Sequence, residues 1–154
     1  MNTPAEQAGD AGPLSRLVPE ERVYRVDLLP AEGESILSPY VEHFWTPVIG
    51  PTALLLARLL YRKAAEALHP SRSDEHAFVT DLYLASCLGV AATTLHRSME
   101  RLEHFGVLSS GGPKNRILLI KDSLGRPSSR HVRGWHTTLG NELLDYDKAV
   151  AGCK

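Results

Sequence analysis

Apolar and polar positions change period several times along the chain, and each change marks an element. Val23-Tyr24-Arg25-Val26-Asp27-Leu28 alternates, which fits a short strand or an arm packing on a domain. Residues 31–38 read as a loop. Residues 39–44 have room for one or two helical turns, after which Pro47 and Pro51 are expected to break the helix. Pro51 can open a new helix, because the first helical position needs no N–H. Over residues 52–68 the polar Arg58, Arg62 and Glu66 recur at spacing four, with Lys63 beside them, and nearly everything else is Leu, Ala or Tyr. Such a narrow polar stripe predicts a helix buried on most sides, either a central scaffold or part of a dimer interface. His69-Pro70 ends it, residues 71–77 form a polar loop, and Phe78-Val79 suits a short strand.

The next stretch, TDLYLASCLGVAATTLHRSMERLEHFGVL from Thr80 to Leu108, has the densest patterning. Thr80 can cap a short helix over residues 81–88. Gly89 follows where a tight turn needs positive φ, and Val90 can plug the space between two helices. A second helix is expected over 91–105, with Leu95, Met99, Leu102 and Phe105 on one face, and Gly106 stops it. Val107-Leu108 starts a strand, residues 109–115 make a glycine-rich loop, and residues 116–121 return as an apolar strand. A last helix over 137–149 carries Leu139, Leu143, Leu144 and Tyr146, suited either to dimerisation or to capping the chain's own core. The fold class expected is therefore mainly α with a small β-hairpin: a winged helix-turn-helix with an N-terminal arm and a C-terminal helix. The implied division is a disordered arm over 1–20, an extension packing on the domain over 21–50, the winged helix-turn-helix over 51–121, and a basic linker with the C-terminal helix over 122–154.

Leu84-Ala85-Ser86-Cys87-Leu88-Gly89-Val90, then Leu95, Leu102-Glu103 and Gly106-Val107-Leu108, resembles the bacterial winged-helix regulator pattern over about residues 78–120. Ala85 and Gly89, four apart, are its most specific features; Ala91-Ala92 depart from it where many members carry Ser or Thr. A weaker resemblance runs from Phe44-Trp45-Thr46-Pro47-Val48-Ile49-Gly50-Pro51 through the Leu-rich helix. That stretch is similar to N-terminal domains of DnaB/DnaD-type replication-initiation proteins and to uncharacterised actinobacterial winged-helix proteins. In the replication family such a domain often self-associates as well as touching DNA.

Charge adds to this picture by its distribution. The 154 residues carry a formal net charge of −1, yet residues 91–134 hold eight Lys/Arg against three Asp/Glu, a net of +5. A near-neutral chain can thus present a basic surface, as a phosphate-backbone binder needs. In the second helix of the motif, Thr93, Thr94, His96, Arg97 and Arg101 are expected toward base edges, with Arg97 the candidate for a guanine. Arg101 and His104 suit backbone phosphate, and Lys114, Asn115 and Arg116 form the wing tip. Lys121, Arg126, Arg130 and Arg133 either extend a phosphate track or simply line a surface connection. Glu100 and Glu103 offer the contrary reading, in which they neutralise Arg97 and Arg101 on a solvated face.

Other chemistries find little support. The seven histidines form no compact ligand set, so neither a metal nor another cofactor is expected. Ser109-Ser110-Gly111-Gly112-Pro113 lacks the Lys-Ser/Thr of a phosphate loop, and nothing marks a nucleophile with its base, so an enzyme is not expected. Cys87 and Cys153 lie far apart, and Cys87 reads as a small buried hydrophobe; a disulfide framework is not expected, which suits a reducing cytosol. There is no signal-peptide pattern and no apolar run of membrane-spanning length. The expectation is a cytoplasmic, dimeric, sequence-specific double-stranded-DNA-binding protein, most simply a transcriptional regulator. The alternative is a protein-binding adaptor in replication, plasmid or phage maintenance, or complex assembly.

Overall fold

The computed structural model describes residues 22–68 and 78–152, and the expected arm over 1–20, the His69-Pro70 stop, the loop over 71–77 and Cys153 lie outside them. The described chain is a mixed α/β fold with six α-helices and two small sheets. In chain order these are β1 (Val23–Leu29), β2 (Glu34–Ser35), α1 (Pro39–Ile49), α2 (Pro51–Ala67), β3 (Phe78–Thr80), α3 (Asp81–Leu88), α4 (Ala92–His104), β4 (Leu108–Gly111), β5 (Ile117–Lys121), β6 (Ser123–Leu124), α5 (Ser129–Val132) and α6 (Thr137–Gly152). Among the described residues no helix is long and apolar enough to cross a membrane.

The sheet is larger than the expected hairpin. Its strand order is β3-β1-β5-β4, with β1 antiparallel to β3 but parallel to β5. The alternating segment is thus a central strand inserted between β3 and β5. Its period-two pattern supplies one core-facing row: Tyr24 lies opposite Val79, Val26 opposite Leu118, and all four are buried. The hairpin continues this row through Leu108 opposite Ile120. Period two puts Val23 and Phe78 on the other face, where both are about half exposed, with the Arg25 guanidinium over the Phe78 ring.

Helix α2 lies across the core row and buries Ala53, Leu54, Leu56, Ala57, Leu60 and Ala64. At roughly 1.5–3 kcal/mol for each large apolar side chain, Leu54, Leu56 and Leu60 make this helix the scaffold. Arg58, first of its expected polar stripe, is not a solvated residue. Its guanidinium donates to the carbonyls of Ile36 and Ser38, at 3.1 and 3.3 Å, and to Glu42 at 3.2 Å.

Helix α1 runs through Pro47 and ends only at Gly50, which corrects the expected break at the prolines. Proline deprives one carbonyl, that of His43, of its helical partner; His43 and Pro47 are both exposed, and buried Phe44, Val48 and Ile49 hold the helix to the core. Cys87 is exposed, which also corrects the sequence reading. Its apolar surroundings are misleading because α3 buries only the helical row Asp81, Leu84 and Ala85, with Leu88 partly covered, and Cys87 falls outside that row.

Helix α6 caps the chain's own core. Leu143 is fully buried, the Tyr146 ring lies 4.5 Å from that of Tyr40, and the Tyr146 hydroxyl donates to Glu34 at 2.9 Å. The preceding stretch is tied down by Trp45 Nε1 donating to the Gly125 carbonyl at 2.8 Å and by an Arg126–Asp147 ion pair at 2.9 Å.

Candidate nucleic-acid interface

Two helices and a hairpin form this surface, and local chemistry fixes each joint. Thr80 caps α3, its hydroxyl accepting from the Tyr83 N–H at 3.1 Å. The turn after α3 is left-handed at Gly89 (φ 68°, ψ 35°), a conformation that a Cβ disfavours. Val90 then packs against the core. Helix α4 starts at Ala92 with Ala91 as its cap, and Ala91 offers no side-chain hydrogen bond to the first N–H groups.

Helix α4 buries Leu95, Ser98, Met99 and Leu102, with Phe105 partly covered just beyond its end. At 3.6 residues per turn the opposite ridge is Thr93, Arg97, Glu100 and His104, and all four are exposed. No ion pair joins Arg97 or Glu100 to another described residue. The ridge has two different flanks. On one side Thr94, Arg97 and Arg101 face the α1–α2 junction across a groove of about 280 Å³ that also meets Gly50, Pro51 and Thr52. Arg101 reaches the carbonyl of Val48 at 3.5 Å, so it holds the end of α1 as well as facing solvent.

On the other side His96, Glu100 and Glu103 face the hairpin tip across a cleft of about 310 Å³, opposite Lys114 and Arg116. The cleft is therefore acidic on the helix wall and basic on the hairpin wall. Arg22 and Tyr24 also line it, so β1 enters the domain at this surface.

His96 has a partner that its sequence position does not disclose. Its Nε2 lies 3.2 Å from Oδ2 of Asp81, a buried carboxylate in the first turn of α3 whose Oδ1 has no hydrogen-bond partner among the described residues. That contact couples α3 to α4 and turns His96 toward the protein. Burial pushes the nearby Tyr24 phenol above its ordinary pKa; a hydrogen bond to Arg22 opposes the shift and the Asp81 carboxylate adds to it.

The hairpin loop is tighter than the expected span of 109–115, because residues 109–111 are already paired in β4. The turn is a short 3-10 segment, Pro113–Asn115, preceded by Gly112 at φ 73° and ψ −176°. A Cβ on Gly112 would lie 2.6 Å from the Ile117 side chain, so only glycine fits without movement. Lys114 and Asn115 are themselves left-handed, at φ 58° and 55°, and they are exposed at the tip, with Arg116 half-buried behind them.

Of the nine residues singled out from sequence, Thr93, Arg97 and His104 share the outward ridge. Thr94 and Arg101 lie on the α1–α2 flank, His96 is paired inward, and Lys114, Asn115 and Arg116 form the facing hairpin tip. Sequence reasoning passed over Arg22, Tyr24 and Asp81. Asp81 carries a cap-adjacent signature, an acid in a helical first turn, which hides its pairing fifteen residues away. No group of three or more potential metal-binding side chains occurs among the described residues. No protein-family model, curated protein or solved structure matches this chain.

Proposed function

We propose that this is a sequence-specific double-stranded-DNA-binding protein built on a variant winged helix-turn-helix, most simply a transcriptional regulator of the cytoplasm. In this reading α3 and α4 are the helix-turn-helix, α4 enters the major groove, and the β4–β5 hairpin is the wing. The observation that carries it is the outward ridge of α4. Arg97 stands there exposed, without a carboxylate partner among the described residues, on a helix whose opposite face is locked into the core. A guanidinium so placed can bond two acceptors of guanine. Thr93 precedes it by one turn, and Lys114 at the hairpin tip supplies a cation for phosphate. The like charges Arg97 and Arg101, four apart, repel weakly on an isolated helix, and a polyanion relieves that repulsion. No catalytic role belongs to this reading. A homodimer does, since a symmetric pair would meet half-sites about one helical turn apart.

The test is fluorescence anisotropy with duplex DNA at two salt concentrations. Binding should weaken steeply with salt, because phosphate neutralisation releases counterions. Arg97→Ala should cost about 1–3 kcal/mol on a selected site and relax its base preference. Absence of binding at low salt by the folded protein would refute the proposal.

A second reading, a winged-helix adaptor that binds protein, draws on a different observation. Leu82 and Tyr83 stand exposed on α3, and Glu100 and Glu103 place acid on α4. That reading expects a partner retained after nuclease treatment and no duplex binding by the pure protein.

A further inference from the structure

Glu100 occupies the place on α4 where an anion is least expected if the helix faces DNA, and this can be turned into a specific assignment. The residue lies on the same exposed ridge as Thr93, Arg97 and His104, and it makes no hydrogen bond or ion pair with another described residue. It forms no ion pair with Arg97 or Arg101, and although it borders the cleft opposite Lys114 and Arg116 it pairs with neither of them. Resting on the DNA-binding reading above, we propose that Glu100 is a base-reading residue that selects cytosine next to the guanine taken by Arg97.

The chemistry of the groove edges leaves one base for a carboxylate. Guanine presents two acceptors, N7 and O6, and thymine presents the acceptor O4, all of which repel it. Adenine offers the N6 amino group but sets the N7 acceptor beside it. Cytosine alone offers its N4 amino group with no acceptor on its own groove edge, so a carboxylate oxygen can accept that hydrogen bond. Arg97 has the complementary requirement, two acceptors on one base, which is guanine.

Spacing supports reading by both residues together. Three residues along an α-helix advance about 4.5 Å, against a stacking distance of about 3.4 Å in DNA. Arg97 and Glu100 are therefore spaced to read neighbouring base pairs. Unlike a lysine, Glu100 adds nothing to non-specific binding and opposes it by repelling phosphate. It contributes discrimination without general affinity, so each half-site should hold a G·C pair at its core.

Glu103 serves as the control. It is also an exposed acid on α4 and shares the helix wall of the hairpin cleft with Glu100, but at 3.6 residues per turn it falls off the ridge that carries Arg97 and Glu100. Site selection from a duplex library with a randomised central region should be run on wild type, Glu100→Gln and Glu103→Gln, each checked for folding by circular dichroism. Glutamine can both donate and accept, and it suits N6 and N7 of adenine. In Glu100→Gln, one position should change from cytosine to adenine, with cytosine preference there falling by roughly tenfold and the guanine position unchanged. Both variants should bind random duplex somewhat more tightly than wild type, and Glu103→Gln should keep the wild-type site. An unchanged site in Glu100→Gln, with wild type still selecting one, would overturn this inference alone. If wild type enriches no sequence at all, the DNA-binding reading falls and takes this inference with it.

Discussion

Val26→Ala tests whether the N-terminal strand is part of the fold or an arm laid on it. Val26 is fully buried at the centre of β1, opposite Leu118 of β5, with β3 on the strand's other side. The substitution removes two methyl groups, about 1.6 kcal/mol of transfer free energy. The void they leave adds a further increment, at about 24 cal/mol per Å³ of unrelaxed cavity. The two contributions together come to about 2–3 kcal/mol. Val23→Ala, three residues earlier on the same strand, is the matched control: Val23 is 47% exposed, and the same change should cost under about 1 kcal/mol. Urea unfolding followed by far-UV circular dichroism and by Trp45 and Trp135 fluorescence reads both. In a thermal scan the Val26 variant should melt roughly 4–12 °C below wild type. Equal costs for the two substitutions would refute the placement of β1 between β3 and β5.

Three other outcomes follow from the structure. Lys114→Ala should weaken binding to all duplexes alike and lower the salt slope by about one, whereas Arg126→Ala, whose guanidinium already pairs with Asp147 at 2.9 Å, should leave the slope unchanged; anisotropy titrations across salt concentrations compare them. Gly112→Ala forces a side chain into a backbone region reserved for glycine and against Ile117, so it should destabilise by about 1–3 kcal/mol, measured by urea unfolding. Burial, with Asp147 next, raises the Tyr40 phenol from 10.0 to about 12; the unfolded chain then loses this proton first, so stability is intact below pH 10, falls as pH rises toward 12, and falls less in Tyr40→Phe, as unfolding at stepped alkaline pH should show.

The parts legible in sequence are those whose signal is local. Thr80, Gly89 and Gly106 are punctuation marks that act within a few residues, and the helices they bound appear where expected. The spacing of Leu95, Met99 and Leu102 likewise reports one buried face. What sequence could not give is pairing over distance. The alternation of β1 announces a strand, but no local feature says that it runs parallel to a strand over ninety residues later. Composition around Cys87 misled for the same kind of reason: a short helix shows the core only one row, and neighbours in sequence lie on other rows. Pro47 misled in the opposite direction, because a local breaker was overridden by the tertiary burial of Phe44, Val48 and Ile49.

The same distinction governs the candidate interface. Sequence presents α4 as a run of polar residues, and only the packing sorts them into an outward ridge and two flanks. His96 is drawn off to a buried acid on α3, and Arg101 also holds the end of α1, so each stiffens the framework that carries the ridge. Arg97 and Glu100 stay uncommitted to any described residue, and they carry opposite charges. A surface meant only to hold phosphate gains nothing from the acid, while a surface evolved merely to be solvated has no need to hold its helix so firmly from both sides. In the proposed DNA-binding reading, a helix whose crest holds Arg97 and Glu100, each unpaired among the described residues, is suited to choosing between bases, and that choice is what site selection with Glu100→Gln puts at risk.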